Sequence, residues 1–187
     1  MSNLIILEER GYNPALYGLG LSREVTSDIS YTKFLFSEKY DQMQKLANKL
    51  SNKDGGHNKF LESIQVWIDI RFPRYWWQQF DTYRIGVTKQ SESTMYNILK
   101  HPFSQKDFES KINGKVLSYL EELRINKDWD SLKSHLPESY LQKRIVNINY
   151  KSLRNIIIQR KTHKLKEWKF FVSEILKQLE YPYLMKE

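Results

Sequence analysis

The sequence predicts an α+β fold, a single domain of mixed helices packed on a small β-sheet. Three observations carry that prediction. "ESIQVWIDI" alternates in period two, with Ile64, Val66, Ile68 and Ile70 on one side and Gln65, Trp67 and Asp69 on the other, the pattern of a half-buried strand. Helical spacing recurs elsewhere, in Met43, Leu46, Ala47 and Leu50 and again in Leu165, Trp168, Val172, Ile175 and Leu179. No internal repeat, low-complexity tract or linker divides the 187 residues, a length sufficient for one substantial core.

In chain order, "NLIILEERGY" reads as an opening strand stopped by Gly11. "PALYGLGLSREV" predicts a helix from Pro14 that its two glycines weaken. The helix over 40–50 is broken by "NKDGG", and the strand of the first paragraph spans 62–70. Pro73 suits a helix start and predicts a helix over 73–83, running into a loop near Gly86. Ser104 and Asp107 resemble an N-cap and first turn. They open a predicted helix over 104–123 that carries Phe108, Ile112, Val116, Leu120 and Leu123, with Gly114 as its weak point. "NKDWDSLKSHLPES" reads as a polar connection. "QKRIVNINY" predicts a strand over 143–148, "YKSLRNIIIQR" a helix, and Thr162 a cap for a last helix over 162–179.

Thirty Lys and Arg against 22 Asp and Glu leave a net charge of +8. That favours anionic partners without separating nucleotides from nucleic acids, membranes or acidic proteins. No apolar run approaches a membrane span, and "MSNLIILEERGY" is too short and acidic for a signal peptide. A cytoplasmic location with no membrane partner is the expectation. The chain has no cysteine, which removes disulfides, thiolate metal sites and thiol nucleophiles. His57, His101, His135 and His163 show no metal-ligand spacing, so no metal is expected.

Three pieces carry more chemistry than folding requires, and each has a plain structural reading beside the functional one. "GGHNKF" is either a surface turn with a polar histidine or a device that presents His57 to a ligand. In "FPRYWWQQFDTYRIGVTKQSESTMY", Trp76, Trp77 and Phe80 have the spacing of a helical core face. Arg84, Thr88, Lys89, Ser91, Ser93 and Thr94 then offer donors to a phosphate, or form a solvated loop. In "NINYKSLRNIIIQRKTHKLKEW", Asn149, Lys151, Asn155 and Arg160 form a polar series opposite Leu153, Ile156 and Ile157. A solvated basic face gives such a series. So does a site for a base edge and a phosphate, because an amide both donates and accepts.

Taken together and in this order, the pieces resemble the flavin-dependent thymidylate synthase (ThyX) family across nearly the whole chain. "GHNKFLESIQVWIDI" is similar to the family's Gly-His and Glu-bearing strand start, and "LGLSRE" falls where the family has an Ala-Arg-x-Ser segment. "FDTYRIGVTKQSESTMY" resembles the signature RHRxxxxxxxSxRY, and "NYKSLRNIIIQRKTHKLKEW" the Asn-x-Arg-Ser-Leu-x-Asn helix with its Leu-Arg ending. The signature is degenerate. Thr82-Tyr83-Arg84 stands for Arg-His-Arg, and one inserted residue is needed to align Ser93 and Tyr96. Met95 replaces the arginine before the tyrosine, and Lys151 replaces another arginine. In the family those arginines chiefly engage flavin and nucleotide phosphates.

The resemblance implies a divergent, phage-type member that methylates dUMP, or a related pyrimidine nucleotide, at C5. FAD would be the cofactor, with NADPH and methylenetetrahydrofolate as co-substrates. It places Arg160, Ser93 and His57 at the reacting centre. Arg84, Asn149, Lys151 and Asn155 fall at the cofactor, and Ser91, Tyr96 and Arg160 at the substrate. It also implies a homotetramer with active sites shared between subunits. The lost arginines favour an alternative, a catalytically inactive ThyX-derived protein that binds a nucleotide. Nucleic acid is not the expected partner, since no recognised RNA- or DNA-binding motif accompanies the charge.

Overall fold

The α+β class holds in the computed structural model, which describes residues 1–186. The chain opens with strand β1 (Asn3–Arg10), followed by α1 (Tyr12–Leu21), α2 (Tyr31–Leu35) and α3 (Glu38–Leu50). A 3-10 turn over Lys59–Ser63 leads into β2 (Gln65–Pro73) and α4 (Arg74–Phe80). Then come β3 (Val87–Ser91), α5 (Thr94–Asn97), α6 (Gly114–Ile125) and α7 (Trp129–His135). The chain finishes with β4 (Leu141–Asn149), α8 (Tyr150–Arg160), α9 (Lys166–Gln178) and a 3-10 turn over Pro182–Met185. The strands lie in the order β1-β2-β4-β3. None of the described helices is long and apolar enough to cross a membrane.

Two units can be distinguished, and each strand contributes residues to both. The first comprises Met1–Ile5, Asp69–Tyr83 and Lys89–Ile145. Trp76, Trp77 and Phe80 of α4 are its core and are at most 1% exposed. Trp76 packs on Phe72 at 4.4 Å and on Phe80 at 5.0 Å between ring centroids, so the tryptophan pair is spent on folding and offers no platform. A second apolar cluster in this unit joins Ile98, Phe108, Leu120, Leu123 and Leu132.

The other unit comprises Ile6–Ile68, Arg84–Thr88 and the chain from Val146 onward. Here α1 packs on α3 and on the 3-10 turn at Lys59–Ser63, and α8 packs on that turn and on α9. Leu16, Met43, Ala47, Leu61, Leu153, Ile156, Trp168, Phe171 and Ile175 form the core. Leu46 is only half-buried, at the margin of the predicted face. Gly11 has φ 96°, and a Cβ there would stand 2.2 Å from the Ser63 carbonyl oxygen. Only glycine lets β1 turn into α1 at that spot.

Several elements differ from expectation for local reasons. The predicted helix over 104–123 is two pieces. Ser104 and Asp107 do form a capping box, but it closes a single 3-10 turn at Gln105–Asp107. The chain then extends through Phe108, which bridges to Tyr140. Helix α6 begins only at Gly114, with the Asn113 side chain accepting from the Lys115 N–H at 2.9 Å. Glycine costs less at a helix start than in its interior. The last helix starts at Lys166 rather than at Thr162, because the Leu165 N–H is taken by His163 Nδ1 at 3.1 Å. Helix α4 stops at Phe80, short of 83, where the Thr82 hydroxyl donates back to the Gln79 carbonyl at 2.8 Å. The polar connection holds α7, capped by Asp128, which accepts from the Ser131 N–H.

Candidate functional site

A cleft of about 810 Å³ is built wholly from residues 14–63. Helix α1 supplies one wall through Ala15, Gly18 and Leu19, and the chain beyond it adds Ser22 and Arg23. The opposite side is Gly55-Gly56-His57 with Lys59, Phe60 and Glu62. Both glycines sit at positive φ, 71° and 87°, and nothing lies within 4 Å of where either would carry a Cβ. Backbone is therefore open to close approach at the lip of the cleft. His57 is exposed there, and the next residue, Asn58, is buried and donates to the Ser51 carbonyl at 3.4 Å, anchoring the loop.

The N-terminus of α8 holds a second group of predicted residues. Asn149 is 8% exposed. Its side-chain oxygen accepts from the Ser152 N–H at 2.8 Å, capping the helix, while its backbone N–H donates to the Gly86 carbonyl at 3.1 Å. The Ser152 hydroxyl donates to the Ile85 carbonyl at 2.7 Å. The Arg84–Gly86 turn is thus pinned to α8, and the Arg84 side chain is exposed. Lys151 Nζ pairs with Glu62 Oε1 at 2.5 Å, which brings it to the rim of the cleft that Glu62 lines. Asn155 is exposed and accepts from Gln159. Arg160 lies over the Trp168 ring, 4.7 Å from its centroid. Neither Arg84 nor Arg160 is among the residues lining the cleft at His57.

Beneath α8, the Tyr150 hydroxyl donates to Glu9. Burial raises the Glu9 pKa, against the lowering effect of its hydrogen bonds from Tyr150 and the Glu180 backbone. Burial and the Glu9 bond push the Tyr150 hydroxyl well above its ordinary range. This pair fixes the end of β4 where Asn149 sits.

Ser91, Ser93 and Tyr96 fall in the other unit. Ser91 is exposed at the end of β3, Ser93 occupies the N-cap position of α5, and Tyr96 is 73% exposed. The register of this stretch is set at Glu92, whose N–H donates to the Lys143 carbonyl at 3.0 Å and whose side chain accepts from the Lys143 N–H at 2.8 Å. Lys89 is not an open phosphate donor. It pairs with Asp81 at 2.9 Å, and Arg144 pairs with the same carboxylate while stacking on Trp77 at 4.3 Å.

Sequence reasoning did not single out Arg23 and Lys59 as cleft residues. Their signal was positional, Arg23 within "LGLSRE" and Lys59 two residues after His57. A family model described as Thy1, thymidylate synthase complementing protein, matches residues 22–181.

The chain belongs to the Thy1 family.

The Thy1 match begins at the cleft's own Ser22 and runs through both units. Solved structures agree on the fold. A crystal structure of the flavin-dependent thymidylate synthase ThyX from Helicobacter pylori, complexed with FAD and dUMP, has a TM-score of 0.78 at 24% identity over 98% of each chain. A second structure of that protein with FAD and dUMP has a TM-score of 0.78 at 20% identity, covering 100% of this chain and 98% of the other. A UMP/dUMP methylase PolB from Streptomyces cacaoi, bound with 5-Br dUMP, has a TM-score of 0.70 at 11% identity over 99% and 94%. No curated protein matches the Thy1 chain in sequence.

Proposed function

We propose that this Thy1 chain carries out flavin-dependent C5-methylation of dUMP, or of a closely related pyrimidine nucleotide. The carrying observation is the cleft at His57, in a chain whose family match spans residues 22–181. Solved structures of the same fold hold FAD with dUMP, or 5-Br dUMP.

The residues present suit a flavin dinucleotide. At about 810 Å³ the cleft lies in the range of ligand sites. Gly55 and Gly56 leave backbone bare for a flat ring, Leu19, Leu50 and Phe60 give apolar walls, and Arg23 and Lys59 can neutralise a pyrophosphate. When bound, the flavin supplies the hydride that reduces the transferred one-carbon unit to a methyl group, methylenetetrahydrofolate being the carbon donor and NADPH the reductant. His57, at the lip of the cleft, would contact the flavin. Lys151 acts with Glu62 at the rim, and Asn155 holds one of the two rings. Asn149 contributes by fixing the Arg84 turn, so that Arg84 presents its charge to a phosphate. Ser91, Ser93 and Tyr96 contact the nucleotide, and Arg160 polarises the pyrimidine. With no cysteine in the chain, the ring is activated electrostatically rather than by thiolate addition.

The assembly belongs to the same proposal. A homotetramer completes the site, and the exposed apolar side chains Phe36 (93%), Ile85 (89%) and Tyr96 (73%) are candidates for contact between copies. The functional compartment is the cytoplasm.

Spectroscopy and turnover test the reading. The purified protein should be yellow with flavin at a fixed stoichiometry. It should convert dUMP to dTMP when given NADPH and methylenetetrahydrofolate, and iodoacetamide should not inhibit it. A colourless protein that still binds dUMP would support the inactive nucleotide-binding alternative, which the lost signature arginines favour.

A further inference from the structure

Lys133 lies on α7, half-buried, and its Nζ donates to the Thr94 hydroxyl. Thr94 is itself buried and stands between Ser93 and Met95. Among the described residues no carboxylate pairs with Lys133. The charge acting on it is that of Arg74, whose guanidinium is already engaged by Glu138 at 3.3 Å and by the Leu136 carbonyl at 2.9 Å. Burial, and then the like charge of Arg74, lower the Lys133 pKa. A desolvated ammonium beside another cation is unfavourable without a counter-ion. It also has three donors, of which Thr94 uses one. Met95 and Tyr96, immediately beyond, are 57% and 73% exposed, so the position borders open surface.

We infer that Lys133 binds the phosphate of the nucleotide, supplying from α7 the positive charge that the signature loses at Met95. The inference rests on the nucleotide reading above. It uses what the local geometry leaves over: two donors, one uncompensated charge, and a Ser93–Tyr96 segment assigned to the substrate. The competing role is a strut, in which Lys133 serves only to hold Thr94, since α5 packs on α7.

Binding of dUMP and of deoxyuridine, which lacks the phosphate, separates the two roles. Both ligands are titrated into wild type, Lys133→Met and Lys133→Arg, with thermal melting of each variant as a check on folding. Lys133→Met should weaken dUMP by roughly tenfold to a hundredfold, the value of one charge-assisted hydrogen bond, and leave deoxyuridine unchanged. Lys133→Arg should restore most of the dUMP affinity, and inorganic phosphate should compete with dUMP in wild type but not in Lys133→Met. Equal loss of both ligands in Lys133→Met would assign the strut role and overturn the inference. So would unchanged dUMP binding in that variant. Failure of wild type to bind dUMP at all would instead overturn the nucleotide reading on which the inference stands.

Discussion

The amide nitrogen of Asn149 occupies the space that a side chain on Gly86 would need. A Cβ at Gly86 would lie 2.1 Å from Asn149 Nδ2 and 2.8 Å from the Ser152 hydroxyl, and the glycine has φ 67°. The Arg84–Gly86 turn can therefore approach α8 closely enough for its Ile85 and Gly86 carbonyls to be bonded by Ser152 and Asn149. That contact ties a degenerate piece of the signature to the better-kept helix motif.

Gly86→Ala should break this contact. The positive φ and the clash with a buried amide predict a loss of about 1–3 kcal/mol of stability, read by urea denaturation. Nucleotide or flavin affinity should fall further than that of Gly114→Ala, because nothing lies within 4 Å of a Cβ at Gly114 and Gly114 does not line the cleft.

Glu9 gives a pH-dependent test. Its folded pKa lies above the ordinary 4.5 because burial outweighs its hydrogen bonds. Between 4.5 and the folded value the native state holds more protons than the unfolded chain, so stability declines as pH rises through that window. Glu9→Gln keeps groups able to bond Tyr150 and the Glu180 N–H and removes the buried charge. Its melting temperature should exceed that of wild type at pH 7.5, and the gain should shrink below pH 4.5.

Asp81 has the opposite sign. Burial pushes its pKa up, but the hydrogen bonds from Lys89 and Arg144 overcome that and hold it below the ordinary 3.8. Its contribution is complete above the unfolded value and is lost as pH falls through the folded one. The side chain is 42% exposed, so the expected contribution is discounted to about 1 kcal/mol or less. Asp81→Asn should be destabilised by that amount at pH 7, and the difference from wild type should shrink as pH falls below 3.8, as followed by denaturant titration at each pH.

Strong periodicity was legible, and the rest depended on contacts remote in sequence. The β2 alternation and the α3 and α9 stripes are properties of the segments themselves, which is why they were recovered. β3 was not, because Val87–Ser91 is a short edge strand with a weak pattern. The helix over 104–123 failed because Ser104–Asp107 is a genuine cap for a turn that Phe108 ends by pairing with Tyr140. For the proposed site, residue types drew attention to His57, Asn149 and Lys151, but not to what they touch. Glu62 as the partner of Lys151, and Arg23 and Lys59 beside His57, come from packing that no short motif encodes.

Arg160 tests the proposed chemistry most directly, and its surroundings set the control. Because it stacks over Trp168, Arg160→Ala should lose roughly 0.5–2 kcal/mol of stability while remaining folded. As the residue proposed to polarise the pyrimidine, it should also lose dUMP affinity or turnover by about tenfold or more, the scale of one charge-assisted bond. Arg124 is a poor comparison, since it grips Glu121 through two nitrogens and reaches the Leu99 carbonyl. Lys45, exposed on α3, is better, and Lys45→Ala should stay within about 0.5 kcal/mol of wild type. Isothermal titration with dUMP and thermal melting on the three proteins decide the matter. If Arg160→Ala melts a few degrees lower but binds and turns over dUMP like wild type, Arg160 serves the α8–α9 packing alone. If affinity falls while Lys45→Ala is unchanged, the charge at the end of α8 acts on the nucleotide.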